Sequence, residues 1–543
     1  MKILLVGINA KYIHTNNAIR LLKANSDFDI DLIEFTIKDD IDEIIAAITK
    51  NQYDVIGFSI YIWNISLFIN IIDKLPLNSS KFILGGPEVS YESEYFLNKE
   101  QVHYILKGES ERSFNQLLHC INKNELPNEV PGISFKVDNT TINNPIQEIM
   151  DLSTLKSPHH FEFDIKHIKN KISYIESSRG CPYKCSYCLS SLEKKVRFFP
   201  LQVVKDEINY LIFKGAKTIK FLDRTFNANK HTFDLFDYII GLKNHNAVFQ
   251  FEITGDTLDT SIIQYLNENA PSGLIRFEIG IQSTNYETNL LVDRFQNKDK
   301  LFTNIKLIQD KGVIDLHLDL IAGLPKEDIT SFKNTFNEVF SLNPKELQLG
   351  FLKMLKGTKI RKEAAKYGYI YNQESPYNII CNAFLSEQDI EEILLVERML
   401  NIFHNKGYFG DNVLQYINQY ESPYAFFLDI GVFYQNHKFP LKGYQINDVY
   451  QAIHDFIGNE EIFAPIKIDY YLNYKVKPKK WDKEALHSDL KNKLYGYASH
   501  KHSIPLHKLF KNSRIISIKD NYHIFFYKEL EVKHYILHKK DIS

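Results

Sequence analysis

Three of the five cysteines in this chain lie within eight residues, in the segment SSRGCPYKCSYCLSS. Cys181, Cys185 and Cys188 have the spacing Cys-x3-Cys-x2-Cys. Thiolates are soft ligands that suit iron–sulfur clusters and zinc. Three thiolates on one short loop can hold three irons of a cubane and leave the fourth iron open. The spacing therefore predicts a [4Fe–4S] cluster with one iron free to bind a cofactor or substrate.

Zinc is the alternative for these cysteines. Structural zinc sites usually have four ligands, often supplied as two pairs. His159 and His160 could complete such a set, but they lie far from the triplet in a Pro-rich stretch. The pattern favours the cluster over zinc or a chance grouping.

With Tyr187 directly before the last cysteine, the motif resembles the cluster loop of radical S-adenosylmethionine (SAM) enzymes. The resemblance covers roughly residues 172–360. In that family the open iron binds the amino and carboxylate groups of SAM. An electron from the cluster then cleaves the sulfonium and yields a 5′-deoxyadenosyl radical. The resemblance implies SAM and a [4Fe–4S] cluster as cofactors, with an external electron donor such as flavodoxin or ferredoxin.

A series of alternating strand-like and helical segments begins at Ile172, and this series must position the cysteine loop. Six strand-like segments alternate with helical stretches, which predicts a partial (β/α)6 barrel. The predicted strands are Ser173–Ser177, Thr218–Asp223, Val248–Thr254, Leu274–Gln282, Asp315–Ile321 and Glu346–Leu352. Chemistry in such barrels gathers at the carboxyl ends of the strands, and the cysteines follow the first strand.

The resemblance also implies which residues contact SAM. They are Tyr187, Asp223, Glu252, Glu278, Gln282 and Gly323. Asp223 could accept from the methionine ammonium, or it could form a buried pair with Arg224. Alternation along the strand places Glu278 and Gln282 on one face, taken as the lumen. Gln282 could bind the ribose or the carboxylate, and Gly323 would let the backbone approach the adenine.

The first 120 residues show a different alternation of strand-like and helical segments. The predicted strands are Lys2–Val6, Asp29–Glu34, Asp54–Ser59, Lys81–Leu84 and Val102–Leu106. This rhythm predicts a Rossmann-like, doubly wound parallel sheet. Ligands of such sheets bind beyond the carboxyl ends of the strands.

The loops at those ends read GINAKYIH, FSIYIWN and GGPEVSYESE. In this order, before a radical SAM barrel, the domain resembles the cobalamin-binding domain of cobalamin-dependent radical SAM proteins. The implied cobalamin contacts are Ser59, Tyr61, Trp63, Asn64, Gly85, Gly86, Pro87 and Glu88. The Asp-x-His-x-x-Gly signature that supplies a cobalt ligand is absent, so we expect cobalamin without a histidine ligand. His14 as the ligand, or a domain that only packs on the barrel, are the alternatives.

We expect an α/β protein of four segments. Residues 1–125 form the cobalamin-binding domain, 126–170 a linker with one small hairpin, and 171–375 the radical SAM barrel. Residues 376–543 form a mixed α/β accessory domain that caps the barrel mouth. From Ala464 onward, basic side chains outnumber acidic ones by about two to one. Such a region is usually a solvated surface, although it could grip an anionic substrate or nucleic acid.

Composition excludes several classes of protein. Hydrophobic residues make up 44%, charged residues 24%, and the net charge is −2, which gives no global attraction to nucleic acid or membrane. Five cysteines are too few for a disulfide framework. Neither a signal peptide nor a membrane span is evident. We therefore expect a cytoplasmic protein, with neither membrane nor nucleic acid as its partner.

The leading hypothesis is a cobalamin-dependent radical enzyme that methylates carbon in a substrate the sequence does not name. The alternatives are cyclisation or rearrangement with the same cofactors, and a cluster- or cobalamin-binding sensor without turnover. A methylthiotransferase would need further cluster cysteines near its N-terminus, and Cys120 is the only cysteine before Cys181. Cys381 could be a thiol close to the substrate, but free buried cysteines are common.

Overall fold

The computed structural model describes residues 1–76, 79–193, 195–243, 245–478, 480–482, 486–528 and 531–541. The chain divides into two compact units, Met1–Thr335 with Leu349–Ile390, and Phe336–Gln348 with Glu391–Ser543. The first unit contains every residue predicted to contact a cofactor. Among the described residues, no helix has the length and apolar character needed to cross a bilayer.

The N-terminal sheet has seven strands in the order β2-β1-β3-β4-β5-β6-β7. Its strands are β1 (Ile3–Asn9), β2 (Ile30–Thr36), β3 (Val55–Ser59), β4 (Lys81–Gly85), β5 (Val102–Leu106), β6 (Ile133–Val137) and β7 (Thr140–Asn143). Its helices are α1 (Asn17–Ala24), α2 (Ile41–Thr49), α3 (Ile65–Lys74), α4 (Pro87–Ser90), α5 (Ser93–Leu97) and α6 (Glu111–Lys123). Strands β1 to β5 pair in parallel, and the hairpin β6–β7 continues the sheet antiparallel to β5.

The central strands β1 and β3 are buried along their whole length. Such continuous apolar strands are typical of a parallel sheet covered by helices on both faces. The doubly wound sheet predicted from the sequence is confirmed. The hairpin predicted in the Pro-rich stretch, β6–β7, is part of this sheet because β6 pairs with β5. This pairing is a tertiary contact that the local sequence does not encode.

The second sheet has six strands in the order β15-β14-β13-β12-β11-β8. The strands of this region are β8 (Ser173–Ile175), β9 (Ser178–Arg179), β10 (Arg197–Phe198), β11 (Thr218–Phe221), β12 (Val248–Ile253), β13 (Ile275–Gln282), β14 (Asp315–Ala322) and β15 (Glu346–Phe351). Its helices are α7 (Glu162–Ile168), α8 (Leu201–Phe213), α9 (Thr232–Gly241), α10 (Thr260–Asn269), α11 (Tyr286–Leu291), α12 (Lys298–Gln309), α13 (Ile329–Phe340) and α14 (Lys359–Lys362). The pairs from β8 to β14 are parallel, as expected for strand–helix units.

Burial alternates along β13, the central strand of this sheet. Phe277, Ile279 and Ile281 are buried, whereas Glu278 and Gln282 are only partly buried. This period of two agrees with one face toward the helices and one toward a polar lumen. The six predicted strands are confirmed, each to within a few residues at its ends.

After β15 the chain forms a short hairpin, β16 (Ile370–Tyr371) with β17 (Ile379–Cys381). The remaining elements are α15 (Glu387–Leu400), α16 (Asp411–Gln419), α17 (Pro423–Asn436), α18 (Ile446–Ile457), α19 (Glu460–Asn473), α20 (Ser488–His502), α21 (Leu506–Asn512), β18 (Ser513–Ile518), β19 (Asn521–Tyr527) and β20 (Val532–His538). The helix predicted over residues 386–406 is α15, followed by a π-helical turn, Asn401–Asn405. The second unit is thus mixed α/β, with helices followed by an antiparallel sheet.

Candidate active site

The three cysteines lie on the loop that follows β9. Gly180, which opens the loop, has φ +90°, and a Cβ there would clash with the carbonyl oxygen of Lys195. Only glycine adopts this conformation without strain, so Gly180 sets the direction in which the loop leaves β9. Within the loop, the backbone N–H of Cys188 donates to the carbonyl of Cys185 over 3.1 Å.

Two main-chain bonds at Ser186 tie the loop to the rest of the barrel. Its N–H donates to the carbonyl of Val292, just after α11, over 2.9 Å. Its carbonyl accepts from the N–H of Ile360 in α14 over 3.0 Å. The cysteine loop is therefore held by two elements that lie more than 100 residues away in sequence.

The cysteine side chains differ in burial and neighbours. Cys185 is buried, whereas Cys181 and Cys188 are partly exposed. The Sγ of Cys181 lies 3.7 Å from the Oγ1 of Thr225. Burial raises the pKa of the Cys181 thiol, a shift that a bound metal reverses because a coordinating thiol is deprotonated.

The donor set fits a cluster better than a single metal ion. Among the described residues, no three His, Cys, Asp or Glu side chains are gathered closely enough to share one ion. Zinc needs four ligands around one point. In a cubane each cysteine binds a different iron, so the three sulfurs need not converge.

Arg294 is a neighbour of the cysteine loop that the sequence does not predict. Its Nη1 lies 3.8 Å from the Sγ of Cys185 and 3.5 Å from the Oη of Tyr187. Its Nη2 donates to the carbonyl of Gly280 on β13. The guanidinium thus joins the loop to the lumen face of the sheet. The neighbours of Arg294 in the sequence, Asp293, Phe295 and Gln296, give no local signal that this arginine turns inward.

Asp223 has a structural role beneath the loop. Its buried carboxylate accepts from the N–H of Ser177 over 2.8 Å, from the Oγ of Ser177 over 2.5 Å and from the Oγ of Ser178 over 2.6 Å. Burial raises its pKa to about 6 despite these bonds. The carboxylate holds the segment between β8 and β9, and the bonds it makes are to serines, not to Arg224. A contact with SAM stays a prediction.

Two of the predicted SAM residues meet on the inner face of the sheet. Glu252 and Glu278 are register partners on β12 and β13. Lys220 on β11 lies between them, with its Nζ 2.7 Å from Glu278 Oε2 and 3.6 Å from Glu252 Oε1. Burial raises the pKa of Glu252. Lys220 was not predicted, although its polar side chain between buried Ile219 and Phe221 marks the lumen face.

Gln282 ends β13 in a strained conformation. Its φ is +70°, and the register with β14 shifts between Gly280 and Gln282. Among the described residues its buried Oε1 has no hydrogen-bond partner. Strain and an unpaired acceptor together are features of binding sites.

Gly323 is required for packing inside the chain. It has φ +95°, and a Cβ there would clash with Ile379. Its carbonyl accepts from the Oη of Tyr369 over 2.9 Å. The close approach that the structure shows is toward Ile379, and a contact of the Gly323 backbone with adenine stays a prediction.

A cavity of about 510 Å³ extends from the carboxyl edge of the N-terminal sheet to Gly180 and Leu189, the residues that directly flank the cysteine triplet. This volume is typical of ligand sites. Five of the eight residues predicted to contact cobalamin line it, namely Ser59, Tyr61, Gly85, Gly86 and Pro87. The barrel contributes Arg179, Gly180, Leu189, Ser190, Leu222 and Arg224. Its deep end lies between the sheet and two helices, lined by Leu5, Gly57, Ile83 and Leu106 of the strands, Ile19 of α1 and Phe114 of α6.

Of the other three residues predicted to contact cobalamin, Trp63 and Asn64 stabilise the loop after β3. The indole N–H of Trp63 donates to the carbonyl of Ile8 over 3.0 Å, and its ring stacks on Tyr61 with centroids 4.4 Å apart. Asn64 accepts from the N–H of Tyr61 over 2.8 Å. Both side chains thereby fix Tyr61, which lines the cavity.

Glu88 and His14 make contacts away from the cavity. The buried carboxylate of Glu88 accepts from the Oη of Tyr377 over 2.5 Å, which joins the loop after β4 to the segment after β15. The Nδ1 of His14 lies 2.6 Å from the Oη of Tyr174 on β8. Neither is among the residues that line the cavity, so an interaction with cobalamin stays a prediction for Glu88 and is not supported for His14.

Three family matches follow one another along the chain. Residues 3–118 match the B12 binding domain, and residues 175–339 match the Radical SAM superfamily. Residues 365–541 match a family described as protein of unknown function (DUF4080). The first two matches lie within the segments predicted to bind cobalamin and SAM.

One curated relative is an uncharacterized methyltransferase of Pyrococcus horikoshii, PH0819, which is 28% identical over 163 residues. The aligned part is 28% of this chain and 36% of that protein, so the chain spans about a third of that relative's length.

Two solved structures share the fold. The cobalamin-dependent SAM radical enzyme OxsB, with aqua-cobalamin and SAM bound, aligns with a TM-score of 0.61 and 15% identity over 84% of this chain and 75% of that chain. The radical SAM methyltransferase TsrM of Kitasatospora setae, with tryptophan and a SAM analogue bound, aligns with a TM-score of 0.57 and 14% identity over 69% of this chain and 79% of that chain. These likenesses confirm the predicted fold class.

Proposed function

We propose that this chain, a radical SAM protein in which a B12 binding domain precedes the radical SAM domain, is a cobalamin-dependent enzyme that methylates carbon in its substrate. The observation that carries the proposal is the cavity. It is lined by loops predicted to contact cobalamin and by Gly180 and Leu189, which directly flank the cysteine triplet, so a cobalamin bound there would lie next to the cluster loop.

Cys181, Cys185 and Cys188 would each bind one iron of the cluster. When bound, the cluster would supply the electron that cleaves SAM, and cobalamin would carry the methyl group. Thr225 and Arg294 flank the loop and orient two of the thiols. Main-chain bonds at Ser186 keep the loop in place without using any thiol.

Arg294 and Gln282 are the side chains best placed to hold SAM. The guanidinium beside Cys185 is a cation close to the residues that would hold the cluster, where it could pair with the α-carboxylate of SAM. The unpaired Oε1 of Gln282 can accept from a hydroxyl or an ammonium. Tyr187, whose hydroxyl lies 3.5 Å from the Nη1 of Arg294, places an aromatic ring next to the same guanidinium.

The cavity supports cobalamin binding by its shape and lining. Gly86 has φ +113°, and a Cβ there would clash with the carbonyl oxygen of Ile60, so the loop after β4 stays flat against the loop after β3. The deep apolar end, between the sheet and helices α1 and α6, suits an elongated part of the ligand. No histidine lines the cavity among the described residues, which supports cobalamin without a histidine ligand.

Methylation is favoured over the alternatives by similarity to proteins with methyltransferase in their names. An external reductant such as flavodoxin or ferredoxin is part of this proposal, as is a reducing, cytoplasmic compartment.

The test is anaerobic reconstitution of the full chain with iron, sulfide and hydroxocobalamin. We expect about four irons per chain, a broad absorbance at about 400 nm and retention of cobalamin after gel filtration. With SAM and a strong reductant, the protein should release 5′-deoxyadenosine. S-Adenosylhomocysteine as a second product supports methyl transfer, whereas 5′-deoxyadenosine alone, with a candidate substrate, supports cyclisation or rearrangement. Release of neither product would reject an enzymatic role and favour the sensor.

A further inference from the structure

The wall of the cavity is strongly acidic on the side that faces the barrel. Five carboxylates and two guanidiniums line the cavity, namely Glu109, Glu111, Glu148, Glu176, Glu193, Arg179 and Arg224. Glutamates of the N-terminal domain and of the barrel meet here, because the turn between β5 and α6 lies across from the segment between β8 and β10. The charge is therefore a property of the assembled cavity and not of one motif.

The arginines offset only part of this charge, because Arg179, Arg197 and Arg224 are three cations against five carboxylates. Arg179 donates through Nη2 to both Glu111 and Glu176, over 2.7 Å and 2.8 Å. Arg197 lies 2.7 Å from Glu109. These pairs engage Glu109, Glu111 and Glu176, while Arg224 and Arg197 act on Glu193 through charge, so the carboxylates still outnumber the cations by two.

Two carboxylate oxygens on the wall are buried without a hydrogen-bond partner among the described residues. They are the Oε2 of Glu111 and the Oε2 of Glu193. Glu111 is only 5% exposed, and its other oxygen is the one bonded to Arg179. A buried acceptor without a donor is costly, so a ligand that brings N–H groups to these two oxygens would be favoured.

Glu193 also reports the electrostatic potential of the wall. Burial, followed by the nearby charge of Glu109, raises its pKa. Arg224 and Arg197 act in the opposite direction but do not cancel this effect, so a carboxylate that a ligand places beside Glu193 would meet the same burial and the same neighbouring Glu109.

We propose that Glu111 and Glu193 make the cavity selective for the amidated form of the corrinoid. Cobalamin carries acetamide and propionamide groups around the corrin ring, and their N–H groups can donate to the two free oxygens. A corrinoid with free carboxylates at those positions would lose these bonds and meet a wall of like charge. The inference rests on the proposed cobalamin site, and it adds which form of the corrinoid that site would bind.

The test compares two corrinoids that both lack the nucleotide tail. Cobinamide has an amidated periphery, and cobyrinic acid has carboxylates at the same positions. Binding of each to the cluster-reconstituted full chain can be followed by the change in corrin absorbance, with hydroxocobalamin as reference. We expect cobinamide to bind at least about tenfold more tightly than cobyrinic acid.

Variants assign the preference to the acidic wall. In Glu193→Gln the side chain can still accept from an amide but has lost its charge, so the preference should narrow to about threefold or less through tighter binding of cobyrinic acid. Glu111→Gln should act in the same direction, with the thermal unfolding curve showing whether the pair with Arg179 was needed for folding. Glu287→Gln, on the exposed face of α11, should keep the wild-type preference.

The outcomes separate this inference from the proposed function. If cobinamide and cobyrinic acid bind equally well to the wild type, or if Glu193→Gln keeps the full preference, the acidic wall does not select the ligand. If none of the three corrinoids binds, the assignment of the N-terminal domain to cobalamin fails, and this inference fails with it.

Discussion

The Nη1 of Arg294 lies 3.8 Å from the Sγ of Cys185, the most buried of the three thiols on the cysteine loop. The guanidinium is a fixed positive charge beside one of the residues expected to bind the cluster. The same cation is within 3.5 Å of Tyr187 and also donates to the backbone of β13. One side chain thus connects the cluster ligands to the face on which SAM is expected.

Replacing Arg294 by alanine should weaken SAM binding without removing the cluster. Hydrogen bonds to charged groups contribute about 1.5–3 kcal/mol, which corresponds to a rise of about 10-fold to 100-fold in the KM for SAM. The rate of 5′-deoxyadenosine formation as a function of SAM concentration measures this. Iron content should stay at the wild-type level. Lys300→Ala, an exposed position on α12, is the matched control, and an unchanged KM in Arg294→Ala would exclude the assignment.

Cys185→Ala should abolish both the cluster and SAM cleavage while the rest of the chain stays folded. With two thiolates the loop can no longer hold three irons of a cubane. Iron analysis and absorbance near about 400 nm check the first effect, and the yield of 5′-deoxyadenosine checks the second. Cys120→Ala, on α6 outside the cavity lining, should keep both. An active Cys185→Ala protein would contradict the ligand assignment.

Gly86→Ala should impair retention of cobalamin and spare the cluster. The substitution places a Cβ against the carbonyl oxygen of Ile60 at a φ of +113°, so the loop after β4 must move away from the loop after β3. We expect at least a tenfold loss of affinity for hydroxocobalamin, measured by spectroscopic titration, with normal iron content. Gly241→Ala is the control, because no atom lies within 4 Å of its Cβ position. Equal retention by both variants would argue against a cofactor at this edge of the sheet.

Acid should destabilise the second unit through a pair of histidines in its antiparallel sheet. The Nδ1 of His523 lies 2.9 Å from the Nε2 of His534. Burial, and then the neighbouring His534, lowers the pKa of His523 to about 4. The unfolded chain takes up this proton near pH 6.5, so the stabilisation present at neutral pH is lost as the pH falls from about 6.5 to about 4.

His523→Gln should therefore flatten the dependence of stability on pH. Thermal unfolding followed by circular dichroism at pH 7.5 and pH 5 measures the difference, which we expect to be several degrees smaller in the variant. His437→Gln, at an exposed position at the end of α17, should leave the wild-type dependence intact. A variant with undiminished acid sensitivity would show that other groups are responsible.

Much of the fold could be predicted because its signals are local. Runs of apolar residues predicted strands β1 to β5 of the first sheet and the six strands of the second, and the cysteine spacing predicted the cluster loop. Five cobalamin candidates line one cavity because carboxyl ends of parallel strands meet at one edge.

The remaining parts of the site depend on contacts between distant segments. Glu88 meets Tyr377 across 289 positions, and Arg179 meets Glu111 across 68. The sequence around these residues does not predict either pairing. Asp223 was expected to contact the SAM ammonium or to pair with Arg224; the structure shows bonds to Ser177 and Ser178 instead of Arg224, and the contact with SAM stays a prediction.

The hairpin β6–β7 bears on how the N-terminal domain can be studied alone. A fragment that stops at residue 125 would lose both strands and leave one side of β5 without hydrogen-bonding partners. A bare strand edge of this kind recruits other chains and leads to aggregation. A shortened protein intended for titration with corrinoids should therefore extend past Asn143, so that the sheet keeps its own outer strands.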